Sequence, residues 1–258
     1  MRAALLLALL LASSLLPPLA AGGPNLNASR LETRSGVACL SVYGERLYVA
    51  YENGSVVRYN LPLLKPSKLI LSFDRGEVVS VDAIGDRSLA VALNNGTLLI
   101  IDAEARKVVR RVRLVKEGEV LSRVVVDSNL AVAVVKYKYG RGELDRLVVV
   151  DTARGARVFS RDVYSEDRLV YVYDLKISDG LLLLIDIDTT CKICKLTDTL
   201  VEVYDLSNYT KIFSRRVGEC RADIGSGVLL VVDVRKGEGL LYNLRRREEV
   251  SSLSLIHI

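Results

Sequence analysis

The sequence predicts an all-β fold made of four-stranded antiparallel repeats, and three observations predict it. First, a turn followed by an apolar strand occurs five times: Gly44-Glu45-Arg46-Leu47, Gly85-Asp86-Arg87-Ser88-Leu89, Asp127-Ser128-Asn129-Leu130, Ser178-Asp179-Gly180-Leu181 and Gly225-Ser226-Gly227-Val228. Second, each copy continues to an aromatic or aliphatic residue and then Asp or Asn: Tyr59-Asn60, Ile101-Asp102, Val150-Asp151, Tyr204-Asp205 and Tyr242-Asn243. From Asn60 these anchors are spaced by 42, 49, 54 and 38 residues, a length that suits four short strands with tight turns. Third, no segment after residue 30 sustains a 3.6-residue apolar period, which excludes helical repeats.

The elements follow from the same reading. The stretch from Val78 to Val112 is the clearest copy and reads as four short strands joined by tight turns. Asn53-Gly54 and Asn95-Gly96 supply the positive φ angles that a two-residue hairpin needs. The strands are dense in Val, Leu, Ile and Tyr, as expected where both faces of a sheet are covered. A single unit of this kind cannot bury both faces alone, so each needs a neighbour on either side. The predicted architecture is a β-propeller with blades over residues 34–74, 75–115, 118–163, 168–217 and 218–252. Five repeats make either a closed five-bladed ring or part of a six- to eight-bladed one.

The order apolar-x-Ser-x-x-x-Gly-Asp, apolar strand, Asn-Gly-Thr and apolar strand ending in Asp resembles WD40-type and PQQ-like propeller repeats. The resemblance runs from Arg34 to Ser252 and implies the fold only. The Trp-Asp dipeptide of WD40 repeats is replaced here by Tyr-Asp, Tyr-Asn, Ile-Asp or Val-Asp, and the family's structural His is absent.

The two ends read as separate objects. Residues 1–23 combine Arg2, an apolar run from Ala3 to Leu16 interrupted by Ser13-Ser14, and the small residues Ala20-Ala21-Gly22. That is the pattern of a removable secretory signal peptide, and no later segment is long and apolar enough for a membrane helix. At the other end, Leu253 to Ile258 reads as a non-native tail, and it contains the chain's one His, His257. The expected location is therefore secreted or extracellular.

Composition narrows the function. The chain has no Trp, one Met and no Gln, while 26% of its residues are charged, a balance seen in thermophilic proteins. The formal net charge of +5 is spread along the strands, with Arg110-Arg111, Arg215-Arg216 and Arg245-Arg246-Arg247 at or near outer strands. Charged outer strands protect sheet edges, so no nucleic-acid partner is expected. Asn27, Asn53, Asn95 and Asn208 open glycosylation sequons.

The four cysteines point to disulfides, as an even number does in an exported chain. Cys191 and Cys194 are expected to staple the loop between strands two and three of the fourth blade. Cys39 and Cys220 share one repeat position, five residues before Gly44 and Gly225. They either bridge the first and fifth blades of a closed ring or remain two buried thiols. Asp186 and Asp188 alternate onto one side of a strand and are weak candidates for a calcium ion, with too few definable ligands.

Insertions in a repeat protein map to loops on one face. The loop after strand two lengthens to Lys136–Glu143 in the third blade and to Asp188–Thr199 in the fourth, and the connection from Val163 to Arg168 is also long. Lys136, Tyr137, Lys138, Tyr139 and Tyr164 are the candidate binding residues, since tyrosine offers a large contact with a polar tip. The expected function is an exported, non-catalytic module that binds protein or glycan at the cell surface, with no cofactor. The competing reading is a propeller enzyme. Quinoprotein dehydrogenases depend on Trp, which this chain lacks, and serine hydrolases need a His beside the nucleophile. Propeller glycosidases use paired channel carboxylates, for which Asp82 and Asp174 are candidates by position. The scaffold subunit of outer-membrane assembly shares the repeats, but a lipoprotein cysteine after the signal peptide is absent here.

Overall fold

Twenty strands form five antiparallel sheets, and in each the four strands pair in sequence order. Blade one comprises β1 (Val37–Tyr43), β2 (Arg46–Tyr51), β3 (Ser55–Asn60) and β4 (Lys65–Ser72). Blade two comprises β5 (Val78–Ala83), β6 (Ser88–Leu93), β7 (Thr97–Asp102) and β8 (Lys107–Arg113). Blade three comprises β9 (Glu119–Asp127), β10 (Leu130–Tyr139), β11 (Gly142–Asp151) and β12 (Ala156–Val163). Blade four comprises β13 (Val170–Ser178), β14 (Leu181–Asp188), β15 (Thr199–Asp205) and β16 (Thr210–Val217). Blade five comprises β17 (Cys220–Gly225), β18 (Val228–Asp233), β19 (Glu238–Asn243) and β20 (Glu248–Ser254). This computed structural model describes residues 36–61, 65–127, 129–139, 142–163, 170–188 and 199–254. No helix among them is long and apolar enough to cross a membrane.

The two sequence anchors bond to each other. In every blade the N–H after the Asp or Asn anchor donates to a carbonyl of the first turn: Leu61 to Glu45, Ala103 to Arg87, Thr152 to Asn129, Leu206 to Gly180 and Leu244 to Gly227, all at 2.8–2.9 Å. The anchor side chain caps the next turn as well. Asp102 Oδ1 accepts from the N–H groups of Glu104 and Ala105, both at 2.9 Å, Asp151 and Asn243 repeat the arrangement, and Asp205 accepts from Ser207 N–H at 2.8 Å. A carboxylate or amide oxygen here satisfies turn donors that a strand ladder cannot reach. That is why every copy has Asp or Asn at this position while the residue before it varies.

The second strand of each of the three middle blades divides its side chains between two neighbours. In β6, Leu89, Val91 and Leu93 pack toward blade one, while Ala90 and Ala92 pack toward blade three. In β10, Ala131, Ala133 and Val135 face blade two and Val132 and Val134 face blade four. In β14, Leu182 and Leu184 face blade three and Leu183 and Ile185 face blade five. The innermost strands pack in the order β1, β5, β9, β13, β17, and among the described residues no packing of that extent returns from β17 to β1. The sides of the terminal blades turned away from these cores leave Leu40 56% and Leu230 37% exposed. At the C-terminus, β20 runs on to Ser254, with Leu253 opposite Gly239, so backbone pairing extends two residues past the predicted repeat boundary.

Two hairpin glycines separate backbone demand from space. Gly44 has φ +58° and a Cβ placed there would have nothing within 4 Å, whereas at Gly96 (φ +80°) a Cβ would lie 2.1 Å from Val115 Cγ2. Gly44→Ala is expected to cost about 1 kcal/mol, the left-handed penalty alone. Gly96→Ala adds overpacking and is expected to cost about 3 kcal/mol. Urea denaturation of both variants checks the difference.

Candidate functional site

Blade three is where the repeat departs most from its neighbours. β10 and β11 are ten residues each, against six for β6 and β7. The added four residues per strand extend the hairpin by about 13 Å. The segment predicted as a loop, Lys136–Glu143, is therefore largely paired: Lys136 lies opposite Asp145, Tyr137 opposite Leu144, Lys138 opposite Glu143 and Tyr139 opposite Gly142. The Lys-Tyr alternation has the two-residue period of a strand, and this sets the outcome. Lys136 and Lys138 take the side that carries Val132 and Val134, and Tyr137 takes the opposite side. The lysines and Tyr137 thus do not converge on one surface.

Tyr137 is held by a cation. The Arg146 guanidinium lies 4.1 Å from its ring centroid and donates to Asp162 Oδ1 at 2.6 Å. Arg146 also approaches Glu119 Oε1 at 3.4 Å, and Arg157 pairs with the same carboxylate. Burial acts to raise the Glu119 pKa, but the hydrogen bond from Arg157 and the two guanidinium charges hold it below the usual range. Lys138 is exposed at the hairpin end. The hairpin thus offers a cation–π pair on one side and an exposed positive charge on the other.

Between blades three and four lie three buried acids. Asp145 on β11 accepts the Val172 N–H at 3.1 Å, which ties blade three to the innermost strand of blade four. Asp186 on β14 lies opposite Val172 and is 3% exposed, with its Oδ1 lacking a hydrogen-bond partner. Glu202 on β15 accepts from Tyr204 Oη at 2.6 Å and Lys211 Nζ at 2.7 Å, with Arg161 of blade three at 3.9 Å. Burial, reinforced by the charge of Glu202, pushes Asp186 up to about 7, and Arg161 only partly opposes this. Asp145 and Glu202 are absent from the sequence-predicted candidates. A charge at a core-facing position of an apolar strand is the signal that marks them.

The other predicted sites divide. Asp82 and Asp174 do not form a pair. Asp82 lies between blades two and three, accepts from Val126 N–H and Ser80 Oγ at 3.2 Å each, and is pushed up to about 6 by burial. Asp174, two blades on, caps its own Leu175 N–H at 2.9 Å. Cys39 and Cys220 are free thiols, the second of the two outcomes their shared repeat position left open. Cys39 packs toward blade two and Cys220 toward blade four, so the two thiols point into different interfaces. Burial pushes Cys39 up to about 11 and also raises Cys220. Tyr164, Cys191, Cys194 and the side chains of Tyr139 and Asp188 lie outside the described residues. Among the described residues no three His, Cys, Asp or Glu side chains gather as a metal site.

No protein-family model matches this chain, and no curated protein sequence matches it. Solved structures do. A chain of the mitotic checkpoint complex aligns over 94% of this chain and 74% of its own length, with a TM-score of 0.58 and 16% identity. Hydrazine synthase of Kuenenia stuttgartiensis aligns over 84% and 74%, with a TM-score of 0.57 and 12% identity. The WD40 domain of Toxoplasma gondii coronin aligns over 84% and 58%, with a TM-score of 0.56 and 15% identity. At these identities the likeness shows the fold. The protein is a β-propeller of four-stranded blades.

The buried acids generate a pH prediction. Folded protein keeps a proton on Asp186 up to about pH 7, whereas the unfolded chain releases it near the ordinary 3.8. The folded state binds more protons across that window, so this group makes stability fall as pH rises from about 4 to 7. Asp186→Asn is expected to raise stability by about 2–4 kcal/mol at pH 8 and to change it little at pH 4. Denaturant titrations at the two pH values check this.

Proposed function

We propose that this protein is an exported, non-catalytic propeller that binds a protein partner at the cell surface through the face carrying the elongated blade-three hairpin. The single observation that carries the reading is that hairpin. Its added length does nothing for the interblade core, which ends at Val135, yet it presents Tyr137 braced by Arg146 and the exposed Lys138. Residues that extend a repeat beyond its packing need are where binding surfaces arise on rigid scaffolds. Tyr and Arg are also the side chains most enriched where protein interfaces concentrate their energy. The structural neighbours fit this use of the fold, since one of them is a component of a multi-protein complex. Export is supported by the signal-peptide pattern of residues 1–23.

The test is capture of partners from the envelope fraction of the source cells with the native chain as bait. Tyr137→Ala and Lys138→Glu are each expected to weaken the captured interaction at least tenfold, equivalent to about 1.4 kcal/mol. Lys138→Glu is expected to leave the thermal midpoint unchanged, because Lys138 is exposed. Equal capture by both variants overturns the assignment of this face. Intact mass of the exported protein, beginning after residues 20–23, checks removal of the signal segment.

A further inference from the structure

The propeller roofs two of its interblade clefts with its own connections. Residues 73–77 between β4 and β5 lay Phe73 against the core of blades one and two. Residues 114–118 between β8 and β9 bury Leu114 and Val115 between blades two and three. The second roof is an extended segment with specific backbone contacts. Leu114 N–H donates to Gly96 O at 2.9 Å, Leu114 O accepts from Arg157 at 2.8 Å, and Lys116 N–H donates to Glu119 Oε2 at 2.7 Å.

Among the described residues no such roof covers the cleft between blades four and five. The connection from β16 to β17 is two residues, Gly218 and Glu219, and Gly218 brings no side chain to the cleft. The registers of blades three and five also match residue by residue. Arg157 lies opposite Val150 and Glu249 opposite Tyr242, each one residue inside its anchor pair. Arg146 and Glu238 each precede the anchor Asp151 or Asn243 by five residues. The two arginines that fill and hold the cleft in blade three are therefore glutamates in blade five. What remains is a cleft of about 520 Å³ with Val217, Val231 and Leu240 at its apolar part and Arg215, Arg216, Lys236, Glu238 and Glu249 around its border.

We propose that this cleft docks an extended segment of a partner protein, which inserts a Leu or Val side chain between blades four and five and carries a basic residue next to it. The molecule supplies the template itself. In the matching cleft the connecting segment Leu114-Val115-Lys116 occupies this position. Glu238, standing where blade three has arginine, complements a positive neighbour of the aliphatic anchor, while Glu249 pairs with Arg215 across the cleft at 3.6 Å. The inference rests on the reading of the protein as a protein-binding scaffold, but it concerns a different surface from the hairpin.

The experiment pans a phage-displayed random heptapeptide library on the immobilised full chain and measures selected peptides by fluorescence anisotropy. The peptide Val-Arg-Leu-Val-Lys-Glu-Gly, which copies residues 112–118, is the defined probe. Two variants close the cleft by different means. Gly218→Leu fills it, and a Cβ there meets only Asp233 at 3.6 Å, an ordinary contact. Glu249→Arg restores the blade-three plug from a half-exposed strand position. The expected result is enrichment of peptides with Leu, Val or Ile followed by Lys or Arg, with binding of these and of the probe at least tenfold weaker in both variants. Peptides that bind the native chain and both variants equally overturn the proposal. Binding that is lost with Lys138→Glu but kept with Gly218→Leu overturns the cleft and leaves the hairpin reading standing. A failure of every peptide to bind overturns the cleft proposal, while envelope capture by the hairpin decides the other reading separately.

Discussion

The structure depends on burying both faces of its three middle blades at once. A four-stranded sheet with one neighbour would leave half of its apolar side chains in water, and the second strands leave no polar face to spare. In β10, Ala131 to Val135 are all 0% exposed. Five consecutive residues can be buried only if alternate side chains meet different partners on opposite sides. The blade-to-blade interface is therefore the unit of stability, and each blade is stable to the extent that its neighbours are. The pairing of Ala90 and Ala92 with Ala131 and Ala133 in one interface shows how small residues let adjacent sheets approach closely.

Polar contacts reinforce the same interfaces in a consistent direction. Side chains from the outer half of one blade reach forward to the next. Arg58 and Lys68 pair with Glu104, Arg110 donates to Thr152 O at 2.8 Å, and Arg161 meets Tyr204 and Glu202. Exposed ion pairs contribute little in isolation. Bonds to a turn carbonyl or to a carboxylate already held in place do more, because they fix the angle between blades. The basic character of the outer strands thus serves interblade contact as well as edge protection. Its limit shows at Asp186, where a carboxyl is enclosed beside Glu202 without enough positive charge to balance both.

The departures from the repeat carry the functional interest because the repeated positions are already committed to packing. One departure adds material: blade three extends its middle hairpin beyond the core and braces it with Arg146. The other removes material: the short Gly218-Glu219 connection and the exchange of two arginines for Glu238 and Glu249 leave a cleft whose counterparts after blades one and two are roofed. Addition and removal act on the same physical quantity, the surface left over once the interblade cores are satisfied.

The strand count, the antiparallel order and the turn chemistry were legible in the chain alone, because each rests on local rules. Asn-Gly and the Asp or Asn anchors impose backbone geometry within a few residues, and short apolar runs between them leave little alternative to strands. The sequence by itself therefore determined the blades. It did not determine which side a side chain faces or what it meets there. The Lys136-Tyr137-Lys138 run has the composition of a binding loop, yet pairing with β11 splits it across two sides. Cys39 and Cys220 share a repeat position, yet one packs forward and the other back. Asp186 and Glu202 sit on paired strands of blade four, and Asp145 joins them only because blades three and four stack. Those outcomes belong to the tertiary structure, since they depend on the stacking of sheets, and no rule within a single repeat specifies the neighbour.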